Sequence, residues 1–203
     1  AASDVYKRQE EVELFKENLP FKLTNAQERT IKEISDDISL AKPMRRLVQG
    51  DVGSGKTVVA AVSMYISAKN DTQSVLLCPT EVLAEQHFKN FSAWFKNSNI
   101  KIELLTGKMP VSKRRGIYQD LEDGVIDILI GTHAVFQDKV KMKNLGLVVV
   151  DEQQRFGVKQ RFDLVKKSSD QIMPHQLFMT ATPIPRTLAM TIFADLETSK
   201  IDE

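Results

Sequence analysis

The sequence has a single cysteine, so no disulfide can close within the chain, and a reducing, cytoplasmic setting is expected. That residue, Cys78, lies in the apolar run SVLLC and is expected in the core. No apolar run approaches the ~20 residues needed to span a membrane, and no signal-peptide pattern opens the chain, so no membrane partner is expected. Charge of either sign is not in excess: 28 basic and 27 acidic residues leave a net +1. No global field therefore attracts a polyanion, and any nucleic-acid contact must be local. Internal repeats and low-complexity tracts are missing as well. His87 and His175 have no metal-ligand spacing with Cys78 or with each other, so no zinc site is expected.

What is present suits one folded domain. The 203 residues are 42% hydrophobic and 27% charged, ordinary values for a globular chain with a real core. Five short apolar runs recur: RRLVQ (45–49), SVLLC (74–78), IDILI (126–130), LVVV (147–150) and QLFMT (176–180), with a weaker sixth, IKIELL, at 100–105. Most lack alternation, which suits strands covered on both faces. Between them, residues 58–69, 83–95, 112–121 and 158–167 have helical spacing. Alternating strands and helices predict an α/β fold with a mostly parallel sheet and helices on both faces, in which ligands gather beyond the carboxyl ends of the strands. Residues 1–9 are set aside as a non-native or disordered leader, because DVYKRQ resembles the translated end of a transposon used to prepare sequencing libraries. The domain is then expected over 10–203.

After RRLVQ comes Gly50-Asp51-Val52-Gly53-Ser54-Gly55-Lys56-Thr57, which matches the phosphate-cradle pattern G-x-x-x-x-G-K-[ST]. Glycines let the backbone wrap a phosphate chain with its N–H groups inward, at a helix N-terminus whose dipole favours anions. Lys56 is expected to reach the β- and γ-phosphates of ATP, and the Thr57 hydroxyl to coordinate Mg²⁺. The pattern follows an expected strand and opens an expected helix, which a chance glycine-rich turn need not do.

LVVV runs directly into Asp151 and Glu152. Alone, two acids at a strand end are as well explained by solvent. Beside a phosphate cradle, Asp151 becomes the candidate Mg²⁺ acid, on a strand expected to lie next to the cradle's, and Glu152 the base for the attacking water.

The cradle, Asp151-Glu152 and the TAT at 180–182 together resemble the first motor domain of superfamily 2 helicases and translocases. PMRRLVQGDVGSGKTVVA (43–60), PTEVLAEQH (79–87), GTHAVFQ (131–137), DEQQRFGV (151–158) and TATPIPRTLAM (180–190) resemble the branched-DNA helicases of that superfamily and their relatives, the transcription-repair coupling factors. The likeness covers residues 19–203. It implies a RecA-like P-loop domain that uses ATP with Mg²⁺ and grips branched or forked DNA by its backbone. It also implies a second RecA-like domain, missing from this chain, whose arginines complete the ATP site; without them hydrolysis is expected to be weak. Gln154 departs from the branched-DNA helicases, which usually carry histidine there, and matches the coupling factors.

The same resemblance assigns further positions. LPFKLTNAQ (19–27) resembles an adenine-reading segment, with Gln27 on the base edge and Phe21 near the ring. Thr24 to Gln27 also fits a capping box that opens a helix, and both roles can hold. Pro79, Thr80 and Glu81, Thr106 and Gly107, and Gly131, Thr132 and His133 correspond to strand-binding motifs, although from the residues alone each is a turn or helix cap. Gln154, Thr180, Thr182 and Arg186 correspond to positions linking nucleotide state to DNA grip; the plain alternative is a strand ending in a turn fixed by Pro183 and Pro185. Lys113-Arg114-Arg115 reads as a solvated helix face. A different functional class, a non-catalytic nucleotide-binding interaction module, is disfavoured by the presence of both Lys56 and Glu152.

Overall fold

The computed structural model describes residues 2–51, 53, 55–151, 173–182 and 196–202. In chain order these form α1 (Ala2–Glu17), α2 (Asn25–Ile38), β1 (Arg45–Gly50), α3 (Lys56–Lys69), β2 (Gln73–Leu77), α4 (Glu81–Trp94), β3 (Ile102–Leu105), α5 (Val111–Glu122), β4 (Ile128–Gly131), a 3₁₀ turn (His133–Phe136), β5 (Leu145–Asp151), β6 (His175–Thr180) and β7 (Glu197–Ile201). The strands make one sheet in the order β3-β4-β2-β5-β6-β1-β7. Every pairing between them is parallel.

Both faces of this sheet are apolar because adjacent residues of each strand point to opposite sides. Val48, Leu76, Ile130, Val149 and Leu177 pack with α2, α3 and α4 into one core layer. Their neighbours Leu47, Val75, Leu77, Leu129, Val148 and Phe178 pack with Ile117 and Leu121 of α5 and Val135 of the 3₁₀ turn into the other. The apolar runs therefore lack alternation for the reason expected. The six apolar runs are the strands β1 to β6, within a few residues at each end. Residues 158–167 lie outside the described residues. Among the described residues, no helix is long and apolar enough to cross a membrane.

Two elements, α1 and β7, are not among the helices and strands expected from the sequence. Residues 2–9, set aside as a leader, continue α1 in one helix with residues 10–17. Residues 3–10 are exposed, while Phe15 stacks on Tyr65 of α3 with ring centroids 4.4 Å apart. The strand β7 has a polar sequence, ETSKI, and buries only Ser199 and Ile201. It lies at the sheet edge, where charged side chains are usual and an apolar run is not required.

Candidate functional site

The cradle begins where β1 ends. Gly53 and Gly55 have φ of +86° and +84°, in the left-handed region that side chains disfavour. A Cβ on Gly55 would fall on the Gln27 amide nitrogen, whereas one on Gly53 would meet nothing within 4 Å. Gly55 is also the N-cap of α3 and offers no side-chain cap, so the first N–H groups of that helix are left for an anion. Lys56 Nζ donates to the carbonyls of Gly50 at 2.5 Å and Asp51 at 3.1 Å, which holds the ammonium against the loop. Thr57 is half-buried in the first turn of α3. Val52 and Ser54 lie outside the described residues.

Gln27 meets the cradle while capping α2. The Thr24 N–H donates to Gln27 Oε1 at 2.9 Å, and the Gln27 N–H donates to Thr24 Oγ1 at 3.2 Å. The capping box is thus present, and it leaves the amide nitrogen of the same side chain against Gly55. Phe21 is 41% exposed and sits edge-on to Trp94 of α4, with centroids 5.8 Å apart.

Asp151 closes β5 and is buried, 9% exposed. The expectation that its strand lies beside β1 is corrected: β6 runs between them. In register, Gln49 of β1 faces Thr180 of β6, and Met179 of β6 faces Asp151 of β5. The acid and the end of β1 are therefore two strand spacings, about 10 Å, apart on the same edge. Thr180 ends the strand in between, fully buried, and its Oγ1 accepts the N–H of Thr182 at 3.1 Å. The TAT segment thus stands between cradle and acid, a placement that sequence order alone could not give. Glu152, Gln154 and Arg186 lie outside the described residues.

One partner of Asp151 was not foreseen. His87, on α4, places Nε2 3.0 Å from Asp151 Oδ2. A lone histidine 64 positions away carries no spacing signal that would have found it. Cys78, at the end of β2, is core as expected; burial, and then the negative charge of Asp151, push its thiol pKa well above the ordinary range. The Thr57 hydroxyl and Asp151 carboxylate are hard oxygen donors, the kind Mg²⁺ takes alongside phosphate oxygens, so the residues present fit that ion.

The neighbouring strands bring the other candidates together. Leu77 of β2 and Leu105 of β3 both pair with Gly131 of β4, so residues 79–81, 106–107 and 131–133 emerge side by side. A Cβ on Gly107 would lie 3.8 Å from both Glu81 Oε1 and His133 Nε2. Lys108 reaches Glu81 at 3.5 Å. Thr80 caps α4, its Oγ1 accepting the Leu83 N–H at 3.2 Å, whereas Thr132 precedes the 3₁₀ turn without capping it, its hydroxyl buried and without a partner among the described residues. The cap reading therefore holds for Thr80 and not for the Thr132 side chain, and the three segments also converge. Gly131 permits close packing, since a Cβ there would approach the Leu105 carbonyl oxygen to 2.6 Å.

A parallel sheet with a glycine cradle after β1 and an acid ending β5 defines a RecA-like P-loop domain. The chain belongs to the DEAD/DEAH box helicase family, whose profile matches residues 24–191. It is 52% identical over 187 residues to the ATP-dependent DNA helicase RecG of Aquifex aeolicus (strain VF5), a match covering 92% of this chain and 24% of that protein. A solved structure of RecG bound to a three-way DNA junction is 42% identical, with a TM-score of 0.83 over 96% of this chain and 26% of that one. The yeast DEAD-box splicing factor Prp28, 20% identical, shares the fold with a TM-score of 0.65 over 91% of this chain and 46% of its own. The chain spans about a quarter of the length of the curated relatives it matches.

Proposed function

We propose that this chain is the first motor domain of a RecG-type ATP-dependent DNA helicase, acting in the cytoplasm on branched DNA in repair and recombination. The observation that carries the reading is the meeting of three distant segments, the cradle, Thr180 and Asp151, on one sheet edge of a chain about half identical to RecG. Residues 50–57 wrap the triphosphate, Lys56 offsets the charge of its β- and γ-phosphates, and Gln27 and Phe21 receive the adenine. Thr57 and Asp151 hold Mg²⁺, which when bound neutralises charge on the phosphate oxygens. Glu152 orients the attacking water and accepts its proton. Residues 79–81, 106–107 and 131–133 grip the DNA backbone, which predicts sequence-independent, salt-sensitive binding. Gln154, Thr180, Thr182 and Arg186 link the two sites. A second RecA-like domain completes the machine, and an arginine from across the cleft contributes roughly 10³–10⁵ in rate.

Titration with a fluorescent ATP analogue tests the assignment of the cradle. Lys56→Ala is expected to weaken nucleotide binding by tenfold or more, on the order of 1.4 kcal/mol, with the thermal unfolding midpoint kept. Unchanged affinity in a folded Lys56→Ala chain rules the reading out.

A further inference from the structure

His87 is 8% exposed, in the second turn of α4, between that helix's capped start at Thr80 and Phe91 in the core. Its Nε2 lies 3.0 Å from Asp151 Oδ2, and its Nδ1 is buried without a partner among the described residues. A carboxylate that holds a cation is ionised and can only accept, so Nε2 carries the proton. The arrangement is one N–H aimed at one oxygen of one carboxylate.

A histidine that merely filled the core would need no such aim. We propose that His87 is a positioning residue for the metal site: its Nε2–H fixes the Asp151 carboxylate through Oδ2 and leaves Oδ1 for Mg²⁺ or a water bound to it. The inference rests on the reading of Asp151 as the Mg²⁺ acid. It adds a structural consequence. The helix that supplies the hydrogen bond also carries Thr80 and Glu81 at its start, about 9 Å along the axis from His87. One rigid helix thus touches both the metal carboxylate and the cluster where residues 79–81, 106–107 and 131–133 meet. Partners of this kind orient a ligand side chain and raise its affinity without touching the ion.

Mg²⁺ titration of this chain, saturated with a fluorescent ATP analogue, reads the effect, with nucleotide affinity measured separately in EDTA. His87→Leu is expected to weaken apparent Mg²⁺ affinity about tenfold, with affinity in EDTA held within about twofold. His87→Gln, whose amide N–H reaches the same oxygen, is expected to recover most of the loss. Asp151→Asn is the reference. If it leaves the Mg²⁺ response intact, the metal assignment of Asp151 fails, whatever His87 does. If it removes the response while a folded His87→Leu keeps full Mg²⁺ affinity, His87 is core filling and the proposal is overturned. Should His87→Leu not fold, imidazole ¹⁵N spectra of the unmutated chain decide. The proposal requires the proton on Nε2 and a resonance that moves when Mg²⁺ is added to the nucleotide-bound chain. A proton on Nδ1, or a resonance indifferent to Mg²⁺, overturns it.

Discussion

The carboxyl edge of the sheet has two halves built on different principles. In the half formed by β1, β6 and β5, the chain takes backbone conformations open to few residues, at Gly53 and Gly55. That half is also braced from behind by ions: Arg46 of β1, 7% exposed, meets Glu33 at 3.0 Å and Asp37 at 2.8 Å, both on α2, and Ser199 of β7 at 2.8 Å. In the half formed by β2, β4 and β3, the turns after the strands hold by ordinary means, with Thr80 as the cap of α4 and a 3₁₀ turn after β4. The first half is specified by single residues in single conformations. The second is specified by which three segments the sheet sets next to each other. A loss in the first half should follow from one substitution, and a loss in the second should need several.

Substitutions can break that contrast. The largest expected effect is at the brace. Arg46→Ala removes the buried guanidinium from two acids that are only partly buried, and losing such charge-assisted hydrogen bonds costs about 1.5–3 kcal/mol. Urea unfolding should show a loss of that size; a loss below about 1 kcal/mol, the value of a surface pair, would mean that β1 and β7 are held by packing alone. Next in size is Gly55→Ala. It adds left-handed strain of about 1–2 kcal/mol, plus a clash with Gln27, and should lower nucleotide affinity on the order of tenfold in calorimetry. Gly107→Ala, in the other half, meets its neighbours at an ordinary 3.8 Å and is expected to leave nucleotide affinity unchanged. Equal effects from the two glycines would erase the distinction between the halves.

The same contrast explains what could be read in the sequence. RRLVQG followed by GSGKT announces a strand, a turn that only glycine tolerates and a helix, all within residues 45–57, because local chemistry dictates each step. The capping box at Thr24 and Gln27 was legible for the same reason. Insertion of β6 between β1 and β5 was not, since strand order depends on crossovers that leave no local mark. The partnership of His87 with Asp151 was hidden likewise, as was the meeting of Glu81, Gly107 and His133. β7 escaped notice because an edge strand needs no apolar run: its two buried positions are Ser199 and Ile201, and only the second is apolar. Pattern revealed the elements, and only packing revealed their neighbours.

The far edge of the sheet belongs to neither half and should give the smallest effect. His175 opens β6, and its Nδ1 accepts the N–H of Met44 at 2.8 Å, which ties the start of β6 to the approach of β1. Burial lowers the imidazole pKa from its ordinary value, opposed in part by the negative charge of Asp37. The folded chain therefore binds this proton less readily than the unfolded chain does. The contribution is whole above the ordinary histidine range near 6.5 and is lost as pH falls below it toward the folded value. Protonation at Nδ1 would also displace the Met44 hydrogen bond. Urea midpoints should accordingly be lower at about pH 5.5 than at about pH 7.5. His175→Asn, which can still accept from Met44 but does not titrate, should flatten that difference. A slope that persists in His175→Asn places its origin elsewhere in the sheet, where the two halves rather than the far edge would then set the response to acid.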